Sequence, residues 1–480
     1  MSKRRFGDAK WVAGQAVTLD YNFAMSEFVG EKGLTETELD DLLPRLALIV
    51  RDLEEGLETG RLGFMTAPFD EHMAGEIRRV AKPLLEWCWH FVVLGIGGSA
   101  LGARALHQAL CHPQYNLFPN ARRHHRPALW VLDNIDPDYF YGMLDGTDLR
   151  RTAFNVISKS GGTAETLAQF IFVYQLLSGR MGRERAAERI VITTDPEKGV
   201  LRHLVSREGF PSLNVPSNVG GRFSVLTPVG LLPAYMVGID LEELLAGARY
   251  MAVRLREEDH RRNPAYRLAS LFYLFATRRE RNILAIMPYA SALAGMGDWF
   301  CQLWAESLGK KFDLEGRVVN AGSTPVRAVG ATDQHSQLQL YMEGPHDKLI
   351  TFLEVDKFQH RVDLPALYPD QEDLGYLGGH TMNELLQVEQ RATAFNLMKA
   401  GRPSLTLRLP EINPFTVGQL IYLLETATVV AGGLLGVNPL DQPGVEGGKH
   451  TTYGLMGRPG FEKYRQELEL APKPLEKYVV

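Results

Sequence analysis

The chain has 480 residues, enough for about two to four domains, each large enough to bury its own core. Hydrophobic residues at 45% and charged residues at 23% exclude a disordered chain, a disulfide scaffold and a collagen-like polymer. With 52 Lys and Arg against 57 Asp and Glu the net charge is −5, so no global basic field exists to attract nucleic acid or an anionic membrane.

The chain opens on the basic run Met1-Ser2-Lys3-Arg4-Arg5, which no apolar stretch follows, so no signal peptide is expected. Residues 1–80 read as helical and solvent-facing, with Leu39, Leu42, Leu43, Leu46 and Leu48 at helical spacing between acidic residues. Cys88, Cys111 and Cys301 are far apart and form no CxxC pair, which argues against a structural zinc site and suits a reducing, cytoplasmic setting. The uncharged stretches Trp87–Ala103 and Phe223–Ile239 are broken by glycines or prolines, and no membrane span is expected.

From Phe91 onward short β-rich runs alternate with helical stretches: Phe91–Leu94, Ala128–Leu132, Phe154–Ile157 and Ile190–Thr193, with a helix over Ala164–Leu177. That alternation is the pattern of a parallel sheet covered by helices on both faces. The run Val92–Leu101 is echoed weakly by Ile283–Leu293, each a buried strand, a small-residue turn holding a serine, then a helix. The fold class is therefore α/β, with two doubly wound parallel-sheet domains and helical extensions at both ends. The expected boundaries are 1–80 for a helical segment, 81–240 for the first domain, 241–280 for a helical connector, 281–450 for the second domain and 451–480 for a tail. Within the connector, Leu241–Asn263 reads as one charged helix.

The turn Gly95-Ile96-Gly97-Gly98-Ser99-Ala100 satisfies a relaxed dinucleotide fingerprint, but the carboxylate needed about 20 residues on is missing. NAD is disfavoured, Arg122 and Arg123 leave an NADP reading open, and a plain tight turn remains the bland alternative. A turn meeting an anion or sugar at a helix amino terminus fits best. Ser158-Lys159-Ser160-Gly161-Gly162-Thr163 then places three hydroxyls and a lysine around two glycines where a helix begins. Without Walker A spacing, this points to a monophosphate; a simple helix cap would use one hydroxyl, not three.

Four further segments look over-specified for structure alone. Gly220-Gly221-Arg222-Phe223-Ser224 sets an arginine after a glycine pair, and Gln302 and Glu306 lie at i and i+4 on a largely apolar helix. Asp333-Gln334-His335-Ser336 puts a histidine in the first turn of a helix, and Asp441-Gln442-Pro443-Gly444-Val445-Glu446-Gly447-Gly448-Lys449 ends a glycine-rich turn on a lysine. Taken singly, Glu306 could pair with Lys310, Arg222 could be a plain salt-bridge partner, and Lys449 could simply be exposed.

In this order these motifs resemble the glucose-6-phosphate isomerase (phosphoglucose isomerase) family, built from two sugar-isomerase (SIS) domains. The resemblance covers about residues 90–450; Ala305 and Leu440 depart from the pattern at positions that react with nothing. It implies an aldose–ketose isomerase that interconverts glucose 6-phosphate and fructose 6-phosphate through a cis-enediol. Glu306 would carry the proton between C2 and C1, and Arg222 would face the enediolate charge. His335 and Lys449 would serve ring opening. Gln302 and Gln442 would touch sugar hydroxyls or phosphate; Ser158, Ser160 and Thr163, with Lys159 beside them, would hold the phosphate. Gly98 and Ser99 would line the sugar site, and Glu165 would support the phosphate loop from behind. The resemblance further implies a homodimer in which His335 comes from the neighbouring subunit. No metal and no cofactor are expected, since no closely spaced His/Glu ligand set appears and His124-His125 sit among arginines. The alternatives are a phosphosugar-binding protein of this fold without catalysis, and an isomerase of the same fold acting on mannose 6-phosphate or an aminosugar phosphate.

Overall fold

A computed structural model describes residues 5–257 and 259–480; the basic run at residues 1–4 lies outside them. Two five-stranded sheets organise the chain. Strand β1 (Thr18–Asp20) comes first, followed by β2 (His90–Leu94), β3 (Ala128–Leu132), β4 (Thr152–Ser158), β5 (Ile190–Thr194) and β6 (Ser212–Asn214). Then come β7 (Ile283–Pro288), a two-stranded ribbon of β8 (Lys310–Phe312) and β9 (Val318–Ala321), β10 (Thr324–Arg327), β11 (Lys348–Lys357) and β12 (Ser404–Glu411). The first sheet is wholly parallel in the order β3-β2-β4-β5-β6; the second runs β1-β12-β11-β7-β10, parallel except for β1. Every residue of β4 and β5 is buried, as strands covered on both faces require. This is the expected mixed α/β fold with two doubly wound sheets.

The described part of residues 1–80 is largely helical as expected, with Leu43–Glu58 and Met73–Leu85 the longest helices, but it does not simply face solvent. Thr18–Asp20 adds a fifth, antiparallel strand to the second sheet, and Leu34, Leu46, Phe64 and Ile77 are buried in the largest core cluster. The expected single helix over Leu241–Asn263 is also corrected. It ends at Arg254, and Asn263 caps a new helix, Pro264–Arg278, with its side chain on the Ala265 and Tyr266 N–H groups. The polar run between them carries no apolar stripe, and proline at the first helical position favours a fresh start there. Both helices pack on the long helix Pro414–Leu435. At Gly418 an added Cβ would run into the Leu244 carbonyl, so glycine lets those two backbones meet.

Pro414–Leu435 is long and apolar enough to cross a membrane, but 94% of its apolar stretch is buried inside the protein. Its Glu425 is fully buried with neither carboxyl oxygen hydrogen-bonded among the described residues, and burial pushes its pKa well above the usual carboxylate range. Helix Glu446–Leu455 runs through the expected boundary at 450, and Phe461 and Tyr464 of the following segment pack on its His450. The last residues are therefore a helical hairpin before they become an exposed tail.

Candidate active site

Both glycine-containing turns leave the carboxyl ends of β2 and β4, which lie side by side at the point where the strand order reverses. Open α/β sheets form their ligand crevice there. After β4, the Ser158 and Thr163 hydroxyls lie 2.8 Å apart and Ser160 is 3.4–3.5 Å from both. The helix Ala164–Met181 begins directly behind them. Ser160, Thr163 and Glu165 line a cavity of about 370 Å³ together with Ile96, Lys449, Thr452 and Tyr453. Lys159 turns elsewhere: its ammonium donates to the Ser217 carbonyl at 2.7 Å, and burial, opposed by Asp195, lowers its pKa. This corrects the expectation that it stands beside the hydroxyls.

The turn after β2 joins that cavity to a second cluster. Ile96 lines the cavity, and a Cβ on Gly97 would lie 3.0 Å from the Gln302 amide nitrogen. Gly98 packs on the Gly221–Arg222 peptide so closely that a Cβ would sit 2.7 Å from the Arg222 nitrogen. Its glycine character is therefore accounted for by that backbone approach. The Ser99 hydroxyl has no hydrogen-bond partner among the described residues.

Glu306 and Gln302 occupy one face of helix Ala294–Leu308, and the glutamine amide donates to the carboxylate at 3.0 Å. Facing them is Arg222, whose side chain is 1% exposed. Its guanidinium stands 3.3 Å from the Glu306 carboxylate. It also donates to Ser307 Oγ (2.7 Å), Gln442 Oε1 (3.0 Å) and the carbonyls of Pro439 (2.6 Å) and Asp441 (2.9 Å). Burial lowers its pKa, with Glu306 and Asp441 pulling it back up, and arginine stays charged throughout. Lys310, the alternative partner for Glu306, donates instead to the Glu306 and Ser307 carbonyls at the helix end and lies 3.7 Å from Asp441.

Lys449 lies inside helix Glu446–Leu455 rather than at the end of a turn, paired with Glu446 at 2.8 Å. His335 closes a short 3-10 turn, Thr332–His335, three residues before the helix expected to contain it. It is exposed and the structure does not join it to Glu306. The reading of the sequence missed Ser307, Tyr453 and the Pro439 and Asp441 carbonyls. Ser307 adjoins the glutamate, but backbone acceptors carry no residue-type signal. Among the described residues no group of three His, Cys, Asp or Glu side chains is arranged to hold a metal ion.

A hydroxyl-lined cavity beside a helix amino terminus can take a phosphate, and a carboxylate held by a buried guanidinium can move a proton next to developing negative charge. The phosphoglucose isomerase family profile matches residues 82–460. The glucose-6-phosphate isomerase of Carboxydothermus hydrogenoformans is 46% identical over 454 residues, 94% of this chain and 97% of that protein. The glucose-6-phosphate isomerase of Rubrobacter xylanophilus is 47% identical over 446 residues, 93% of this chain and 99% of that protein. Among solved structures, a hypothetical protein from Thermus thermophilus matches with a TM-score of 0.81 at 36% identity, over 92% of this chain and 100% of that one.

Proposed function

Because the chain belongs to the phosphoglucose isomerase family, we propose that Glu306 is the base of its reaction and Arg222 the counter-charge to the enediolate. The reaction is the aldose–ketose interconversion of glucose 6-phosphate and fructose 6-phosphate through a cis-enediol. The observation that carries the assignment of roles is the Arg222–Glu306 pair at 3.3 Å, the guanidinium buried and the carboxylate partly open.

The substrate phosphate binds the hydroxyls of Ser160 and Thr163, with Ser158 behind them and Lys449 across the cavity. This end-on anchorage directs the sugar past Ile96 and Gly97 towards Gln302. Once the ring has opened, Glu306 takes the C2 proton, the negative charge forming on oxygen is met by Arg222, and the proton returns at C1. Gln302 and Gln442 each hold one partner of the pair in place, through Glu306 and Arg222 respectively, and face sugar hydroxyls. Lys449 and His335 serve ring opening. A phosphosugar sensor would need only the hydroxyl loop, not a carboxylate locked against a buried guanidinium.

His335, exposed and neither hydrogen-bonded nor ion-paired to Glu306 in its own chain among the described residues, completes the site of a second copy, so the working unit is a homodimer. Three free thiols fit the cytoplasm as its setting. The test is conversion of fructose 6-phosphate to glucose 6-phosphate by purified protein in EDTA, next to Glu306→Gln. Turnover in the wild type, reduced at least about 10²-fold in the variant with KM little changed, is expected for a general base. Near-normal turnover by Glu306→Gln would remove the base assignment, and a fully active monomer in sedimentation would remove the homodimer.

A further inference from the structure

Apart from their last edge strands, β6 and β1, the two sheets repeat one topology. In each, the first strand (β2 or β7) lies between the second (β3 or β10) and the third (β4 or β11), so each has its own crevice at a strand-order reversal. The reaction described above uses the first crevice. The correspondence extends to single residues. β2 and β7 each lead through a 3-10 turn, Gly97–Ser99 or Ser291–Leu293, into a helix. Counted from the first residue of the turn, Gln108 and Gln302 both stand eleven residues on, and His112 and Glu306 both stand fifteen on. Each glutamine reaches the opposite turn: Gln108 donates to the Ser291 carbonyl at 2.9 Å, and Gln302 abuts Gly97. The molecule therefore carries a second crevice related to the first by this repeat; at the count of Glu306, which lies within its helix, stands His112, just past the end of helix Leu101–Leu110.

That crevice is open. A cavity of about 490 Å³ lies at the second crevice, between the end of helix Leu101–Leu110 and the segment that follows β11. Its lining includes Ala292, at the position of Gly98, and carries positive charge and donors: Lys357, His360 and His112. No aspartate or glutamate is among the described residues that line it. The Lys357 ammonium and the His360 ring have no hydrogen-bond partner among the described residues. His112 accepts the Gln114 N–H on Nδ1 at 3.1 Å, which leaves Nε2 as its donor. The opposite wall is apolar, formed by Phe358, Leu386 and Ile412.

We propose that this second crevice is a binding site for a small organic anion with an apolar body, its charged group held by Lys357 with His112 and His360 and its body against Phe358, Leu386 and Ile412. Donors that line one cavity without a competing carboxylate select an anion, and apolar walls favour a ligand less hydroxylated than a sugar. With no carboxylate and no arginine among the described residues that line it, the site binds and does not isomerise.

The experiment titrates the full chain with 3-phenylpropionate, phenyl phosphate and neutral 3-phenylpropanamide, with fructose 6-phosphate present at saturation to occupy the first crevice. Binding is read by calorimetry and ligand-observed NMR. At least one of the two anions should bind at least 10-fold more tightly than the amide, and Lys357→Met should weaken it at least 10-fold while kcat/KM for fructose 6-phosphate stays unchanged. Lys357→Arg should retain most of the binding. Preference for phenylpropionate identifies a carboxylate ligand, and preference for phenyl phosphate identifies a phosphate ester. The proposal is overturned if neither anion binds, if the amide binds as well as the anions, or if Lys357→Met binds as the wild type does.

Discussion

The Arg222 guanidinium stands 3.3 Å from the Glu306 carboxylate while its other N–H groups are committed to Ser307, Gln442, Pro439 and Asp441. One side chain thereby ties the Glu306 helix to the segment around Gln442 and sets a fixed positive charge beside the carboxylate proposed as the base. Lysine cannot reproduce this fork. Arg222→Lys should lower kcat roughly 10²-fold, in the range for loss of a preorganised charge donor. It should also cost about 1–3 kcal/mol of stability for buried acceptors left unpaired. Steady-state kinetics and thermal unfolding measure the two effects, and an unchanged midpoint would show that the carbonyl contacts contribute nothing to stability.

Gly98 gives a second handle on the same arginine. A methyl group there would press on the Gly221–Arg222 peptide, 2.7 Å from the Arg222 nitrogen, where backbone cannot yield as a flexible side chain does. Gly98→Ala should destabilise by about 1–3 kcal/mol, the range for overpacking. It should also reduce kcat/KM at least about tenfold by shifting the guanidinium. Wild-type kinetics in this variant would show that the arginine tolerates displacement of its loop.

The Ser158–Thr163 loop, proposed to hold the phosphate, should respond in affinity rather than turnover. Ser160 and Thr163 both line the cavity, and each hydrogen bond to a charged group is worth about 1.5–3 kcal/mol. Replacing both by alanine should raise KM at least about tenfold with kcat largely kept. A changed kcat with constant KM would place the phosphate elsewhere.

Acid stability should depend on His107. Burial lowers its pKa from 6.5 to about 4, and its Nε2 is buried without a partner beside the Tyr115 ring. Because the folded pKa lies below the unfolded one, the unfolded chain binds the extra proton. Stability is then intact above pH 6.5 and falls as the pH drops towards 4, by about 3 kcal/mol at 1.36 kcal/mol per unit. His107→Phe keeps a ring against Tyr115 and should flatten this part of the profile. Denaturant midpoints between pH 7 and 4 measure it; identical slopes for the two proteins would mean that the imidazole is not held neutral.

Much of the site was legible because its chemistry is local. The Ser158–Thr163 hydroxyls, the Gln302–Glu306 spacing and the strand-turn-helix of Gly95–Ala100 each need only a few adjacent residues, and period and turn chemistry fix those. The doubly wound architecture followed from the same alternation. The errors arose where a distant segment decides. Thr18–Asp20 becomes a strand because the edge of β12 needs a partner. Lys159 leaves the hydroxyls because the Ser217 carbonyl lies within reach.

The sequence by itself determined which residues carry charge, hydroxyl and amide groups, and which turns begin the helices beneath them. Only the tertiary structure decided that Arg222 locks against Glu306 through acceptors more than 200 positions along the chain. It alone decided that the internal repeat opens a second crevice lined by His112. Local propensity acts over one or two turns of chain. Contacts between distant segments depend on how whole sheets and helices pack, and a carbonyl recruited in that packing belongs to every residue type alike.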